Sequence, residues 1–332
     1  MTDISVIIPT RQRPESLGIT LRSLAAADRS GMEVEIIVVE NDVERRSELA
    51  CQKYAPLIAL RYYLETRLGK SYALNRALDE GVSGGIVAVL DDDISVDSKW
   101  FRGVAAITQR WPGKGFYTGR SLVRWPEGNI PGWCKTGSLQ GWAYSVLDKG
   151  SEDCEIPNHK WASGNFFWFK KQILVNGRRF PNPSGLQMES EPQFMLGLAE
   201  DGMGGLAGPD AIVWHRVQKE LLEVQTLKIR AAHAGRTFAE VRLRPFRRSN
   251  PKACQFRDHP ILARAYCLWH LLKSFITWWW IQSFGSAGQI GQGIHSQYLI
   301  AYYMELLQIA GQMPEYRVRL NRATFKFSKK PK

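Results

Sequence analysis

The chain has 332 residues, 44% of them hydrophobic, enough for one large domain with an extension or for two domains, each with its own core. Its five cysteines, Cys51, Cys134, Cys154, Cys254 and Cys267, form no C-x-x-C pair and are odd in number, which argues against a disulfide framework or a zinc site and for reduced thiols in the cytosol. The net charge of +12 is uneven: residues 1–215 hold 24 Lys and Arg against 26 Asp and Glu, residues 216–332 hold 20 against 6, so the basic excess of +14 in the last third points to an anionic partner there.

The opening "MTDISVIIPT" has no basic region and runs at once into an apolar stretch, which predicts no signal peptide. Ile4–Thr10 is a continuous apolar run closed by a Pro-Thr pair, the pattern of a buried strand. Leu17, Leu21 and Leu24 then recur at helical spacing behind Pro14. Val34–Asp42 predicts the next strand and Ala59–Glu65 a third. "SYALNRALDEGV" predicts a helix with Ala73, Leu74, Ala77 and Leu78 on one face, and "GIVAVLDDD" a fourth strand. This alternation predicts an α/β unit with a mainly parallel sheet, whose ligand site lies beyond the carboxyl ends of its strands. Thr10, Glu40 to Asp42 and Asp91 to Asp93 all fall at such ends. Residues 111–165, rich in Trp, Gly and Pro, predict long loops and short antiparallel strands. Phe194–Gly202 reads as a helix and Gly208–Val217 as a short strand ending near His215. From about Glu220 the pattern turns to basic, amphipathic helices. The apolar stretch His259–Phe284 is interrupted by Arg264, His270 and Lys273, so it lacks the roughly 18–20 uncharged residues of a spanning helix.

Three adjacent carboxylates at the end of a buried strand repel one another unless cations or water separate them. Asp91 and Asp93 can bind a hard divalent cation, or the run can be a solvated acidic turn. His215 is either a ligand beside them or an ordinary histidine. Glu189 and Glu191 precede a helix, where acidic residues are favoured by the helix dipole and where one of them can serve as a general base. Gly164 either opens the backbone to a substrate or permits a turn. Trp111, Trp125, Trp133, Trp142 and Trp161 either fill the core or stack on sugar rings.

The ordered set "VIIPTRQRPESL", "EIIVVEND", "GKSYALNRAL", "VAVLDDD", "SGNFFWF", "ESEPQF" and "GPDAIVWHRV" resembles the family 2 glycosyltransferases of the GT-A fold over about residues 3–217. The resemblance implies an α/β, GT-A nucleotide-diphospho-sugar transferase domain at 1–218, followed by a basic, Trp-rich helical extension at 219–332. It also implies an inverting, metal-dependent enzyme using Mn2+ or Mg2+ and a UDP, GDP or dTDP sugar. By position it places Pro9, Thr10, Arg11, Glu40, Lys70, Asn75, Asp91 and Asp92 around the nucleotide sugar, Asp93 and His215 on the metal, Trp161, Gly164 and Asn165 by the donor or acceptor sugar, and Glu191 as catalytic base. Glu40-Asn41-Asp42 departs from the family's Asp-Asp/Asn-Gly-Ser, and Ser190-Glu191 from its Glu-Asp; a shift of register would nominate Glu189 instead.

Two other readings compete. Asp91-x-Asp93-x-Ser95 also resembles the nucleophilic loop of haloacid-dehalogenase-like phosphatases, although that loop usually follows the first strand. The basic third alone would suit a non-enzymatic protein that binds an anionic surface, but it carries no nucleic-acid module. Its cations interleave with Trp269, Phe275, Trp278, Trp279, Trp280 and Phe284, which suits a lipid headgroup zone. The expectation is a peripheral transferase on the cytoplasmic membrane face, acting on a glycan or lipid-linked acceptor, against the alternative of a helical cap packed through its Trp face.

Overall fold

Strand β1 (Thr2–Thr10) buries both of its faces. Ile4, Val6 and Ile8 point into one core with Leu17, Leu21 and Leu24 of helix α1 (Pro14–Ala26), and Ile7 points into a second core on the opposite face. A strand with two apolar faces belongs at the centre of a sheet covered by helices on both sides. The computed structural model describes residues 2–157, 162, 164–182, 190–243 and 260–312. The chain divides into two compact units, Met1–Glu127 with Tyr144–Gln218, and Gly128–Ala143 with Lys219–Lys332.

The first unit continues through β2 (Met32–Glu40), α2 (Glu48–Tyr54), β3 (Ala59–Leu64), α3 (Lys70–Asp79), β4 (Ile86–Leu90), β5 (Ile94–Val96), α4 (Trp100–Arg110) and β6 (Phe116–Arg124). After α5 (Gly137–Tyr144) come β7 (Cys154–Ile156), β8 (Phe166–Lys170), α6 (Ser190–Glu200) and β9 (Gly205–Arg216). Among the described residues the strands form one sheet in the order β3-β2-β1-β4-β8-β6-β9-β5, with β7 on β9. Strands β3, β2, β1 and β4 are parallel; β8 runs antiparallel to β4 and to β6. This is the α/β fold expected, with a central sheet flanked by helices. Trp100, Phe101, Val104 and Ile107 of α4 fill one face; Leu74 of α3, Phe194 of α6 and Phe167 and Phe169 of β8 fill the other.

The structure corrects the expectation for residues 111–165. Residues 116–124 form a nine-residue strand in the middle of the sheet, parallel to β9 and antiparallel to β8, rather than a long loop or a short antiparallel strand. Thr118, Arg120 and Ser121 masked it, because their partners are remote: Thr118 donates to the Phe166 carbonyl, Arg120 pairs with Asp148, and Ser121 accepts from Asn165. The register of β6 on β9 shifts between Thr118 and Arg120. Gly119 is required there, since a Cβ would lie 1.8 Å from the Ala211 carbonyl oxygen.

The second unit contains helices α7 (Val224–Leu243), α8 (Pro260–Phe284) and α9 (Ile290–Gln312). Ala239, Ala263, Cys267, Tyr302, Tyr303 and Leu306 form its core. Gly235 lets α7 and α9 touch, because a Cβ would meet the Tyr298 carbonyl at 2.4 Å. Trp142 belongs to this packing: it stacks on Tyr298 with 5.2 Å between ring centroids, and its indole nitrogen lies 3.2 Å from His295 Nδ1. Among the described residues, no helix is long and apolar enough to cross a membrane.

Candidate active site

Each of the three aspartates after β4 meets a cation or polar partner of its own. The central one, Asp92, is fully buried. Its carboxylate accepts from Thr10 Oγ1 at 2.7 Å and lies 3.0 Å from an Arg13 nitrogen. Its carbonyl accepts from Ser16 Oγ, Thr20 Oγ1 and Arg216, each within 2.9 Å. Thus α1, the end of β1 and the end of β9 converge on one peptide and fix the turn. Asp91 and Asp93, on either side, are left partly accessible at 27% and 14% side-chain exposure.

Asp91 pairs with Lys70 at 2.5 Å. Lys70 opens α3, and the loop before it is tied down by Asn41, whose side chain donates to the Glu65 and Arg67 carbonyls and accepts from Gly69 N at 2.7 Å. Gly69 has φ 142°, a conformation other residues rarely adopt. Lys70 Nζ also lies 2.5 Å from Glu191 Oε1 and 3.3 Å from the Gly164 carbonyl. Glu191 is buried at the first turn of α6, and its other oxygen accepts from Ser190 Oγ at 2.5 Å. A side chain at Gly164 would stand 3.4 Å from Glu191 Oε1, so the glycine leaves room at the carboxylate.

Asp93 lies 3.2 Å from Arg13 and 3.7 Å from His215 Nε2. His215 Nδ1 is 2.8 Å from the Tyr144 carbonyl. A carbonyl only accepts, so Nδ1 carries the proton and, in the neutral ring, the Nε2 lone pair faces Asp93. Asp93 Oδ1 is buried without a hydrogen-bond partner.

These contacts divide the electrostatics. Burial pushes Asp91 up to about 6; Lys70 opposes this, and Asp93 and Glu191 add to it. Burial likewise raises Asp92 to about 7 against the pull of Arg13. Burial also opposes ionisation of Asp93, but His215, then Arg13 and Arg216, outweigh it and hold that carboxyl at about 2. Burial would lower Lys70, yet Asp91 and Glu191 together raise it, so it stays charged. His215 is raised too, because Asp93 outweighs its desolvation.

The structure therefore brings Thr10, Lys70, Asp91, Asp92, Asp93, Gly164, Asn165, Glu191 and His215 to one end of the sheet. Asn165 joins through its backbone, its carbonyl accepting from Asp91 N at 2.9 Å. Pro9 is the penultimate residue of β1, and Arg11 is exposed just beyond it. Glu40 is buried, and its carboxylate is occupied by Gln12 N, Ser47 N and the Tyr62 hydroxyl, at 3.3, 2.7 and 3.1 Å. It shapes the surrounding loops. Asn75 is not brought to the carboxylates: its amide makes two 2.9 Å hydrogen bonds with the backbone of Phe180. Trp161 and Glu189 lie outside the described residues. Arg13 and Arg216 were missed by the sequence reading. Arg13 stands inside the "VIIPTRQRPESL" segment, and its position just before the first helix was the available signal.

Residues that could hold a divalent cation are present. Asp93 Oδ1 has no hydrogen-bond partner, and His215 Nε2, 3.7 Å from Asp93 Oδ2, offers a lone pair when the ring is neutral. Among the described residues no group of three or more His, Cys, Asp or Glu side chains is arranged to hold a metal. A pair of protein ligands suits Mg2+ or Mn2+ only where substrate phosphates complete the shell.

Residues 5–132 match the family described as Glycosyl transferase family 2. No curated protein sequence matches the chain. Among solved structures, it is similar to the mannosyltransferase PcManGT from Pyrobaculum calidifontis in complex with GDP-Man and Mn2+, with 18% identity over 92% of this chain and 86% of that one and a TM-score of 0.56. It also matches S. aureus TarS 1–349 in complex with UDP-GlcNAc, with 15% identity over 93% of this chain and 92% of that one, at a TM-score of 0.47. The first likeness supports the fold.

Proposed function

We propose that this chain, whose residues 5–132 match Glycosyl transferase family 2, moves a sugar from a nucleotide-diphosphate donor to an acceptor hydroxyl with inversion at the anomeric carbon. The observation that carries this reading is the grouping of Asp91, Asp93, His215, Lys70 and Glu191 at the carboxyl end of the sheet. That is where ligands of open α/β sheets bind.

In this reading Thr10, Arg11 and Arg13 border the nucleotide, and Asp91 faces the ribose or sugar. Asp93 and His215 are the residues that would hold a divalent cation. Such an ion neutralises charge on a leaving diphosphate. Glu191 takes the proton of the attacking hydroxyl. Both of its oxygens are occupied, one by Lys70 and one by Ser190. To act as base it must exchange one partner for the acceptor. Ser190 is neutral, so its hydrogen bond is the cheaper to release. Lys70 then keeps Asp91 and Glu191 apart electrically while the proton moves. The family match favours this chemistry over an aspartyl phosphatase.

A hydrolysis screen of UDP, GDP and dTDP sugars with Mn2+ tests the reading. One donor is expected to be cleaved slowly without acceptor. Cleavage of phosphomonoesters, with no nucleotide sugar touched, would overturn it.

A further inference from the structure

Helix α8 is built inside out. Three of its four buried positions among the described residues are small or short: Ala263, Cys267 and Ser274 are 1%, 0% and 6% exposed, with Ile281 the fourth at 7%. Most of its large apolar side chains point the other way. Leu262, Trp269, Leu272, Ile276 and Trp279 recur at spacings of seven, three, four and three, which is one face of a helix, and all are more than half exposed. Phe284 extends the row at 68% exposure. At 25 residues the helix is roughly 37 Å long. Water-facing helices ordinarily show the reverse pattern, and a continuous apolar face of this size marks an interaction surface.

The charge of the sequence segment that carries this face, together with the cations on α7 and α8, selects its partner. Residues 216–332 carry 20 Lys and Arg against 6 Asp and Glu. Arg264 and Lys273 lie on α8 itself. Beside it, a cleft of about 760 Å³ between α7, α8 and α9 is lined by Ile229, Phe275, Trp278 and Met304, with Lys228 and Arg236 also in its wall. Tryptophan beside cations suits the headgroup zone of a bilayer, where ring bodies enter the acyl boundary and cations meet anionic lipid. A second copy of the chain fits poorly, because two segments of +14 would be brought together. Arg264 and Lys273 keep α8 from being a spanning helix, and a position flat on the surface does not require one.

We propose that α8 is the membrane-docking face of this protein, lying in the headgroup zone of an anionic bilayer with the row from Leu262 to Phe284 turned toward the acyl chains. Resting on the transferase reading, the acceptor class follows: a hydroxyl presented at a lipid surface.

Flotation of the full chain tests this, with phosphatidylcholine vesicles and with vesicles containing phosphatidylglycerol, at low and high salt. The expected result is binding to the anionic vesicles at low salt, weakened by salt and weak on phosphatidylcholine alone. The triple variant Trp269→Ser, Leu272→Ser, Trp279→Ser alters only exposed side chains and is expected to lose at least about tenfold in vesicle affinity. Circular dichroism of the variant checks that it folds. Absence of wild-type flotation at low salt, or equal flotation of the triple variant, overturns the proposal. So does a wild-type dimer that ignores vesicles and dissociates on the triple substitution, which would assign the face to a second copy. Nucleotide-diphosphate binding by the same preparations reports on the transferase reading separately.

Discussion

Lys70 and Glu191 form a 2.5 Å ion pair at the carboxyl end of the sheet, and the same ammonium group holds Asp91 at 2.5 Å. One cation thus sits between the carboxylate that would face the donor and the carboxylate that would face the acceptor. Glu191 is consequently ordered before either substrate arrives.

Glu191→Gln keeps the shape and removes the base. Transfer is expected to fall by about a hundred- to ten-thousand-fold with nucleotide-diphosphate affinity nearly unchanged, since the side chain serves the acceptor. Steady-state transfer rates and equilibrium titration of the nucleotide check the two halves. A mild effect here with a crippling one at Glu189→Gln would move the base by two positions.

Lys70→Met leaves Asp91 and Glu191 without their shared counter-charge. The side chain is 26% exposed, so the expected loss of stability is modest, about 1–3 kcal/mol. Adding Asp91→Asn removes one of the stranded charges and is expected to restore part of that loss. Urea denaturation of the single and double variants measures the coupling; simple additivity would show that Lys70 does not hold the pair.

Gly119→Ala places a methyl group where the Ala211 carbonyl already stands. Neither strand can retreat within the sheet, so a loss of about 3 kcal/mol or more is expected, read as a lowered melting temperature. A variant as stable as the wild type would contradict the close crossing of β6 and β9.

Glu35 anchors the start of the sheet. Its carboxylate accepts from Ser5 Oγ at 2.5 Å, Ser83 N at 2.6 Å and Arg61 at 2.8 Å. Burial raises its pKa, but the hydrogen bonds from Ser5 and Ser83 and the charge of Arg61 outweigh that and lower it. A lowered carboxyl stabilises the fold above its unfolded pKa, about 4.3, and that contribution is lost as pH falls through the lower folded value. The wild type is therefore expected to exceed Glu35→Gln by about 1–3 kcal/mol at pH 7, with the gap closing below about pH 4. Denaturation midpoints across pH 3–7 test the sign.

The strands that position the site were readable because β4, most of β1 and the second half of β2 (residues 36–39) are buried on both faces and so appear as nearly continuous apolar runs. Strand β6 was hidden because its polar residues are satisfied by partners far away in sequence, and because its glycine answers to a neighbouring strand. The Asp91 to Asp93 run was legible as charge, but its division of labour was not. Asp92 is structural because Thr10, Arg13, Ser16, Thr20 and Arg216 meet there only after folding. Asn75 illustrates the converse. It stands in a segment that resembles the family's, yet its amide is taken up by the Phe180 backbone.

The most direct test of the account is nucleotide-diphosphate binding measured calorimetrically, with Mn2+ and with excess chelator, for the wild type and Asp93→Asn. Asp93 Oδ1 is buried without a hydrogen-bond partner while Oδ2 lies 3.7 Å from His215 Nε2, so the account predicts binding of UDP, GDP or dTDP that requires Mn2+ in the wild type and is lost in Asp93→Asn while circular dichroism shows the fold retained. Equal binding in chelator, or undiminished Mn2+-dependent binding by Asp93→Asn, would contradict it.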